Sequence, residues 1–283
     1  MKSRFLFAPI PIFIIASLLG FDVWTGSHWG ICLLMTGIPA GCMFEAGRAY
    51  ESKFGNLPFN VLTAGMVLLM LLASYVLLYS PSWLSPYTHI LFSLSYVLIV
   101  LFSCVYNITV GSSENAAGTL MGLGLFTLFS VIYLHGFLLL DILSETPGFA
   151  TMMVIYLLAV GKGGDSGSYL VGKSIGTVKM TPRLSPNKTW AGLAGGLITG
   201  VIIGSGFYFT VIGTHITLTT LLVISFLISL SAAGGDLIGS YLKRGANLDD
   251  SSNMFPGLGG VLDMSDSFLV TIPVALLIIL LIS

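Results

Sequence analysis

Long apolar runs separated by short polar interruptions organise this chain. The runs lie at Phe5–Gly20, Gly30–Phe44, Asn60–Ser80, His89–Val110, Gly118–Leu140, Phe149–Gly161, Thr189–Gly213, Ile216–Gly234 and Ser265–Ser283. A helix needs about 20 apolar residues to cross the hydrocarbon of a bilayer. The runs are continuous and do not alternate, which predicts helices and not the strands of a β-barrel. The second and sixth are short and suit tilted or partly re-entrant segments. The expected fold is all-α, a polytopic membrane protein with about nine transmembrane helices. Lys2 and Arg4 precede the first run as they would in a signal peptide. No convincing small-residue cleavage site follows, so an uncleaved first span is expected.

The cations test this count. With the N-terminus in the cytoplasm and the spans alternating, the inner segments hold Lys2 and Arg4, then Arg48 and Lys53. They also hold Lys162, Lys173, Lys179, Arg183 and Lys188, and finally Lys243 and Arg244. All 11 Lys and Arg then fall on one side, as the positive-inside rule requires. Removing the weak sixth span would spoil that pattern. The same topology puts His28, His89, His135 and His215 on or near the outer side, away from the polar cytoplasmic segments. A catalytic histidine is not expected. Trp24, Trp29 and Trp83 fall at outer boundaries, where indole rings anchor.

Composition sharpens the picture. Of 283 residues 55% are hydrophobic and only 8% charged, so each polar cluster calls for an explanation. Cys32, Cys42 and Cys104 lie in or beside apolar runs without metal-like spacing and read as buried thiols. Nucleic acid is not an expected partner; the lipid bilayer is. The loops among the first five spans are bland, whereas ionisable and Gly-rich content rises after Val160. Residues 1–145 therefore read as a transmembrane scaffold and residues 146–283 as the catalytic region.

Two polar stretches in that second region carry the chemistry. In Gly161–Thr189, Asp165 lies beside glycines at the inner end of the sixth span, and Ser185-Pro186-Asn187-Lys188-Thr189 opens the seventh. Backbone N–H groups at a helix start, next to Lys188 and Thr189, make an anion site. No Gly-x-x-x-x-Gly-Lys-Ser/Thr phosphate loop is present. The second stretch surrounds Ser240–Asp266. If the eighth helix continues, Asp236, Ser240 and Lys243 share one face at i, i+4 and i+7. Asp263 and Asp266 stand where the ninth helix begins, and Pro256–Gly260 permits a sharp turn between them and the eighth. Asp236 and Asp263 could then flank a divalent cation with oxygen ligands, Mg²⁺ being the natural choice. Lys243 and Arg244 beside it would hold phosphate oxygens. The plainer alternatives are helix caps for Asp263 and Asp266 and a solvated turn for Asp249–Asn253.

This second stretch resembles the signature of the phosphatidate cytidylyltransferases (CDP-diacylglycerol synthases). The match falls on Ser240, Lys243, Arg244, Asp250, Ser252, Phe255, Pro256, Gly259, Gly260, Asp263 and Asp266. Upstream, Asp165, Tyr169, Gly172, Gly176, Ser185, Pro186, Lys188, Thr189 and Gly192 resemble the family's second motif block. Four positions depart from it: Asp249 for Lys, Leu258 for His, Met264 for Arg and Ala191 for Glu. Two cations and an imidazole are thereby missing, and one cation is replaced by a carboxylate.

The resemblance implies transfer of CMP from CTP to phosphatidate, giving CDP-diacylglycerol and pyrophosphate, in the cell (inner) membrane with the site facing the cytoplasm. It implies catalytic roles for Asp236, Asp263, Lys243 and Arg244, and Mg²⁺ on Asp236, Asp263 and Asp266, with a second cation left open. Substrate contacts fall to Asp165, Ser185, Lys188, Thr189, Ser240, Asn253, Gly259 and Gly260. The rival readings are a CTP-dependent polyprenol or phytol kinase and a membrane transporter. Small-residue helix faces are compatible with a homodimer.

Overall fold

A computed structural model describes residues 9–26, 29–54, 149–256 and 258–282. The predicted third, fourth and fifth spans lie outside them. In chain order the described helices are α1 (Pro9–Thr25), α2 (Trp29–Phe54), α3 (Phe149–Ile175), α4 (Trp190–Gly206), α5 (Leu218–Gly245), α6 (Val261–Ser265) and α7 (Phe268–Ile282). Strands β1 (Lys179–Thr181) and β2 (Ser185–Thr189) form an antiparallel hairpin between α3 and α4. Four stretches are long and apolar enough to cross a membrane: Trp29–Tyr50, Trp190–Phe209, Leu218–Gly245 and Val261–Ile279. The described residues are mostly helical, as the apolar runs predict, with the small hairpin as an addition.

Three helices outrun the apolar pattern. The second predicted span ends at Phe44, the sixth at Gly161 and the eighth at Gly234, whereas α2 reaches Phe54, α3 Ile175 and α5 Gly245. Hydropathy marks where the surroundings of a helix change, not where its backbone hydrogen bonds stop. At 27 residues α3 is about 40 Å long, well beyond a hydrocarbon core of roughly 30 Å. The overhanging turns carry Glu45 and Arg48 on α2, Lys162 and Asp165 on α3, and Asp236, Lys243 and Arg244 on α5.

The described contacts divide into two compact units. The first comprises Met1–Asp22, Ser27–Leu134 and Ala246–Asp263. Within it, the buried Asp22 carboxylate accepts from Gly30 N at 2.7 Å and Ile31 N at 2.8 Å. It thereby satisfies two N–H groups that the first turn of α2 leaves unpaired. One turn before Glu45, a Cβ at Gly41 would lie 3.0 Å from Val261 Cγ1, so α2 seats the start of α6 closely.

The second unit comprises Val23–Gly26, His135–Gly245 and Met264–Ser283. Here α4 packs on α3 and α5, and α7 on α5. The buried face of α4 consists of Gly192, Gly195, Gly196, Gly200 and Gly204, while Ile198 and Ile202 point outward. Lipid is as apolar as a leucine side chain, so membrane helices associate through close packing of small residues. A Cβ at Gly192 would stand 2.8 Å from Ser168 O, and one at Gly196 the same distance from Gly164 O. These glycines are engaged within the chain, so they speak for packing inside it and not between copies.

Candidate active site

Among the described residues each unit contains a polar centre, and the two are built differently. In the second unit, Asp236 projects from the overhanging turns of α5. Its Oδ2 receives Lys188 Nζ, from β2, at 2.6 Å. Asp266, only 3% exposed, lies in the break between α6 and α7, and its side chain is within hydrogen-bonding reach of Asp236. Lys243, two turns along α5 from Asp236, approaches Asp266 Oδ2 to 4.0 Å. Sequence spacing placed Asp236, Ser240 and Lys243 on one face, and α5 does continue through them.

Two glycines make this approach possible. A Cβ at Gly239 would lie 2.9 Å from Asp266 Oδ2, and one at Gly235 would lie 2.5 Å from both the Asp266 and Ser267 carbonyl oxygens. Contacts that short do not occur, so Gly235 and Gly239 let the broken start of α7 rest on the α5 backbone. The break is held locally: Ser267 N donates to Asp266 Oδ1 at 2.8 Å, and Thr271 Oγ1 donates to Ser267 O at 2.9 Å.

A third acid–lysine pair joins from α3. Lys162 Nζ lies 3.1 Å from Asp165 Oδ2 and donates to Ser267 Oγ at 2.6 Å, while Ser267 Oγ donates to Asp165 Oδ2 at 3.0 Å. The ammonium group also stands 5.4 Å from the centroid of the Phe268 ring. Lys162 was not singled out by the sequence pattern, since it reads as one of several basic residues in a cytoplasmic segment.

The Ser185–Thr189 corner takes a different form from that expected. It is strand β2 and not the first turn of a helix, with Thr181 opposite Ser185 and Lys179 opposite Thr189. The helix begins at Trp190. Thr189, 4% exposed, is its N-cap, accepting from Gly192 N at 3.0 Å through the side-chain hydroxyl. The extended backbone leaves Lys188 directed at Asp236 one residue before the cap.

The first unit holds the other centre. Asp263 Oδ2 accepts from Ser251 N at 2.8 Å, Ser251 Oγ at 2.7 Å and Gly260 N at 2.8 Å. Glu45 of α2, 7% exposed, accepts from Ser252 Oγ at 2.7 Å and Val261 N at 2.9 Å on Oε1. On Oε2 it accepts from Ser251 Oγ at 2.8 Å and Leu262 N at 2.9 Å. Gly259 has φ +86°, and a Cβ there would strike the Asp263 carboxylate. A Cβ at Gly260 would strike the Glu45 carboxylate. The Gly-Gly pair is therefore dictated by two carboxylates pressed against its backbone. Asn253 is exposed, Ser240 half-buried and Arg244 exposed.

The chemistry of the donor set fits a hard divalent cation. Two neighbouring carboxylates are the usual protein share of a Mg²⁺ site, with phosphates and water completing the shell. Among the described residues no three His, Cys, Asp or Glu side chains converge on one point. Carboxylates backed by lysines at the ends of membrane helices suit a membrane-embedded protein that handles a metal and phosphate.

Comparison with known proteins gives the family. The chain matches the model of the Cytidylyltransferase family over residues 3–282. It is 32% identical over 245 residues to the phosphatidate cytidylyltransferase of Bacillus subtilis (strain 168), which covers 85% of each chain. The corresponding Pseudomonas aeruginosa protein is 33% identical over 229 residues, 80% of this chain and 78% of that one. The Staphylococcus aureus (strain COL) protein is 32% identical over 222 residues, 78% of each. The chain belongs to the cytidylyltransferase family.

Proposed function

We propose that the chain is a phosphatidate cytidylyltransferase, transferring CMP from CTP to phosphatidate and releasing pyrophosphate. The observation that carries this reading is the cluster Lys188–Asp236–Asp266–Lys243 within a chain that matches the family over nearly its whole length. The lipid phosphate is already an anion and attacks the α-phosphorus of CTP without a strong general base. The described carboxylates and lysines are therefore the groups the reaction calls on. The obstacles are repulsion between two anions and the charge that collects on the departing pyrophosphate.

Asp236 and Asp266 are the proposed Mg²⁺ ligands; Asp263 is proposed as a further oxygen donor on signature spacing alone. When bound, Mg²⁺ supplies Lewis-acid neutralisation of phosphate charge. Lys188, Lys243 and Arg244 are the proposed phosphate clamps, and a second cation belongs to the same proposal. Lys188 and Lys243 already stand at the carboxylates, so small side-chain movements would bring them to bound phosphate oxygens. Preorganised cations are most effective where water is scarce. Asp165 holds Lys162 and Ser267 beside this cluster. Ser185, Thr189 and Ser240 in the second unit, and Asn253, Gly259 and Gly260 in the first, keep the substrate-contact roles that the signature implies.

The proposal includes nine spans, a cytoplasmic N-terminus and a site facing the cytoplasm from the inner membrane. One contact supports that topology. Glu45, three residues before Arg48, bonds to Ser251 and Ser252, which follow Lys243 and Arg244. The charge pattern puts both segments on the same side. The test is product analysis with purified protein in lipid nanodiscs. CTP, Mg²⁺ and phosphatidate should yield pyrophosphate and CDP-diacylglycerol in equal amounts; CDP as product would instead identify a CTP-dependent lipid kinase.

A further inference from the structure

The N-terminal half reads as scaffold, yet Glu45 from that half accepts four hydrogen bonds from the signature segment. Its two oxygens receive Ser252 Oγ and Val261 N on one side, and Ser251 Oγ and Leu262 N on the other, all within 2.7–2.9 Å. The side chain is buried, and Gly41 one turn earlier seats Val261 against the same face of α2. Gly260 is compatible with this arrangement only because it lacks a side chain that would occupy the carboxylate's place.

Ser251 connects this acceptor to the signature aspartate. Its hydroxyl is within reach of both Glu45 Oε2 and Asp263 Oδ2 but owns a single proton, so it serves one of them at a time. The lasting contacts are the backbone ones: Val261 N and Leu262 N to Glu45, Ser251 N and Gly260 N to Asp263. Glu45 thus ties the start of the loop, at Ser251 and Ser252, to the first turn of α6, which carries Asp263. A glutamine could not replace it, because an amide presents one acceptor oxygen and its NH₂ would face two donors.

We propose that Glu45 is a positioning residue for the transferase reaction, holding the loop Ser251–Leu262 in the conformation that presents Asp263. This rests on the cytidylyltransferase reading. Partners that orient a ligand typically contribute 10–100-fold to activity or metal affinity when removed. Glu45→Gln should therefore lower kcat by about 10–100-fold and raise the Mg²⁺ concentration for half-maximal rate, with the KM for CTP changed by less than about twofold.

The decisive readout does not depend on turnover. Hydrogen exchange of the full chain in nanodiscs is followed in peptides covering residues 251–262 and, as reference, 161–204. Glu45→Gln should speed exchange in the first by about tenfold or more and leave the second unchanged. Ser252→Ala, which deletes one of the four contacts, should give the same pattern more weakly if Glu45→Gln fails to fold. Unchanged exchange in 251–262 would overturn the proposal, as would acceleration spread equally over both regions, which marks a general packing role. A wild-type protein that releases no pyrophosphate removes the transferase reading, whereas the exchange result still decides whether Glu45 holds the loop.

Discussion

The two polar centres satisfy their carboxylates largely by different means. In the first unit Glu45 and Asp263 are met by neutral donors, backbone N–H groups and serine hydroxyls fixed by the fold. In the second unit Asp236, Asp266 and Asp165 face the ammonium groups of Lys188, Lys243 and Lys162. Backbone donors cannot leave without unfolding the loop. A lysine on a flexible four-carbon stem can exchange its carboxylate for a phosphate with little change in the fold. The first arrangement is suited to holding a shape, the second to trading partners during a reaction.

The sharpest way to break this contrast is to remove a carboxylate from the exchangeable centre. Asp266→Ala should lower turnover by on the order of 10²–10³ or more, by analogy with the loss of one preorganised electrostatic contact. Steady-state pyrophosphate release checks it, and near-normal turnover would show that the pair is structural. The same Asp236→Asn and Asp263→Asn assays separate the two donors: if neutral donors hold Asp263 for shape, its variant should show altered loop exchange in addition to lost rate.

The lysines come next. Lys188→Met should lower kcat/KM for CTP by about 10²-fold or more, while Lys188→Arg, which keeps the charge, should recover part of it. Equal losses in both variants would mean that positive charge alone is not what Lys188 supplies. A purely architectural change should do neither. Gly196→Leu places a side chain where Gly164 O already lies, and overpacking of this kind typically costs about 1–3 kcal/mol. A lowered melting temperature in detergent, with the Mg²⁺ dependence of surviving activity unchanged, is the expected result. Ser252→Ala removes one hydrogen bond to a charged group, comparable in stability cost at about 1.5–3 kcal/mol, and should have the smallest effect on catalysis. It should shift stability and leave KM for CTP alone.

What the sequence made legible, and what it did not, follows the same division. The helical membrane class could be read because uninterrupted apolar runs have few other destinies. The shared face of Asp236, Ser240 and Lys243 could be read because helical period alone decides it, once α5 is allowed to run past its apolar part. The ends of α2, α3 and α5 could not, since backbone hydrogen bonds continue after the side chains turn polar. The Ser185–Thr189 corner looked like a helix start because Ser, Pro and Thr favour first turns. Only pairing with Lys179–Thr181 makes it a strand. Glu45 was invisible because its partners lie more than 200 positions away, with |i−j| of 206 for Ser251. The one signal pointing to it was an acidic residue at the very edge of a predicted span, between Gly41 and Gly47, where a charge needs a partner. Gly239 likewise carries no mark of its role until Asp266 is seen to lie against it.

The central claim is that the lysine–aspartate cluster serves CMP transfer. It is tested most directly by supplying the purified wild-type chain in nanodiscs with CTP labelled at the α-phosphorus, phosphatidate and Mg²⁺. The account predicts that label appears in the lipid as CDP-diacylglycerol with one pyrophosphate released per transfer, and that Asp266→Ala slows both together by on the order of 10²–10³ or more. Label remaining in CDP, or label entering the lipid at an undiminished rate in Asp266→Ala, would contradict it.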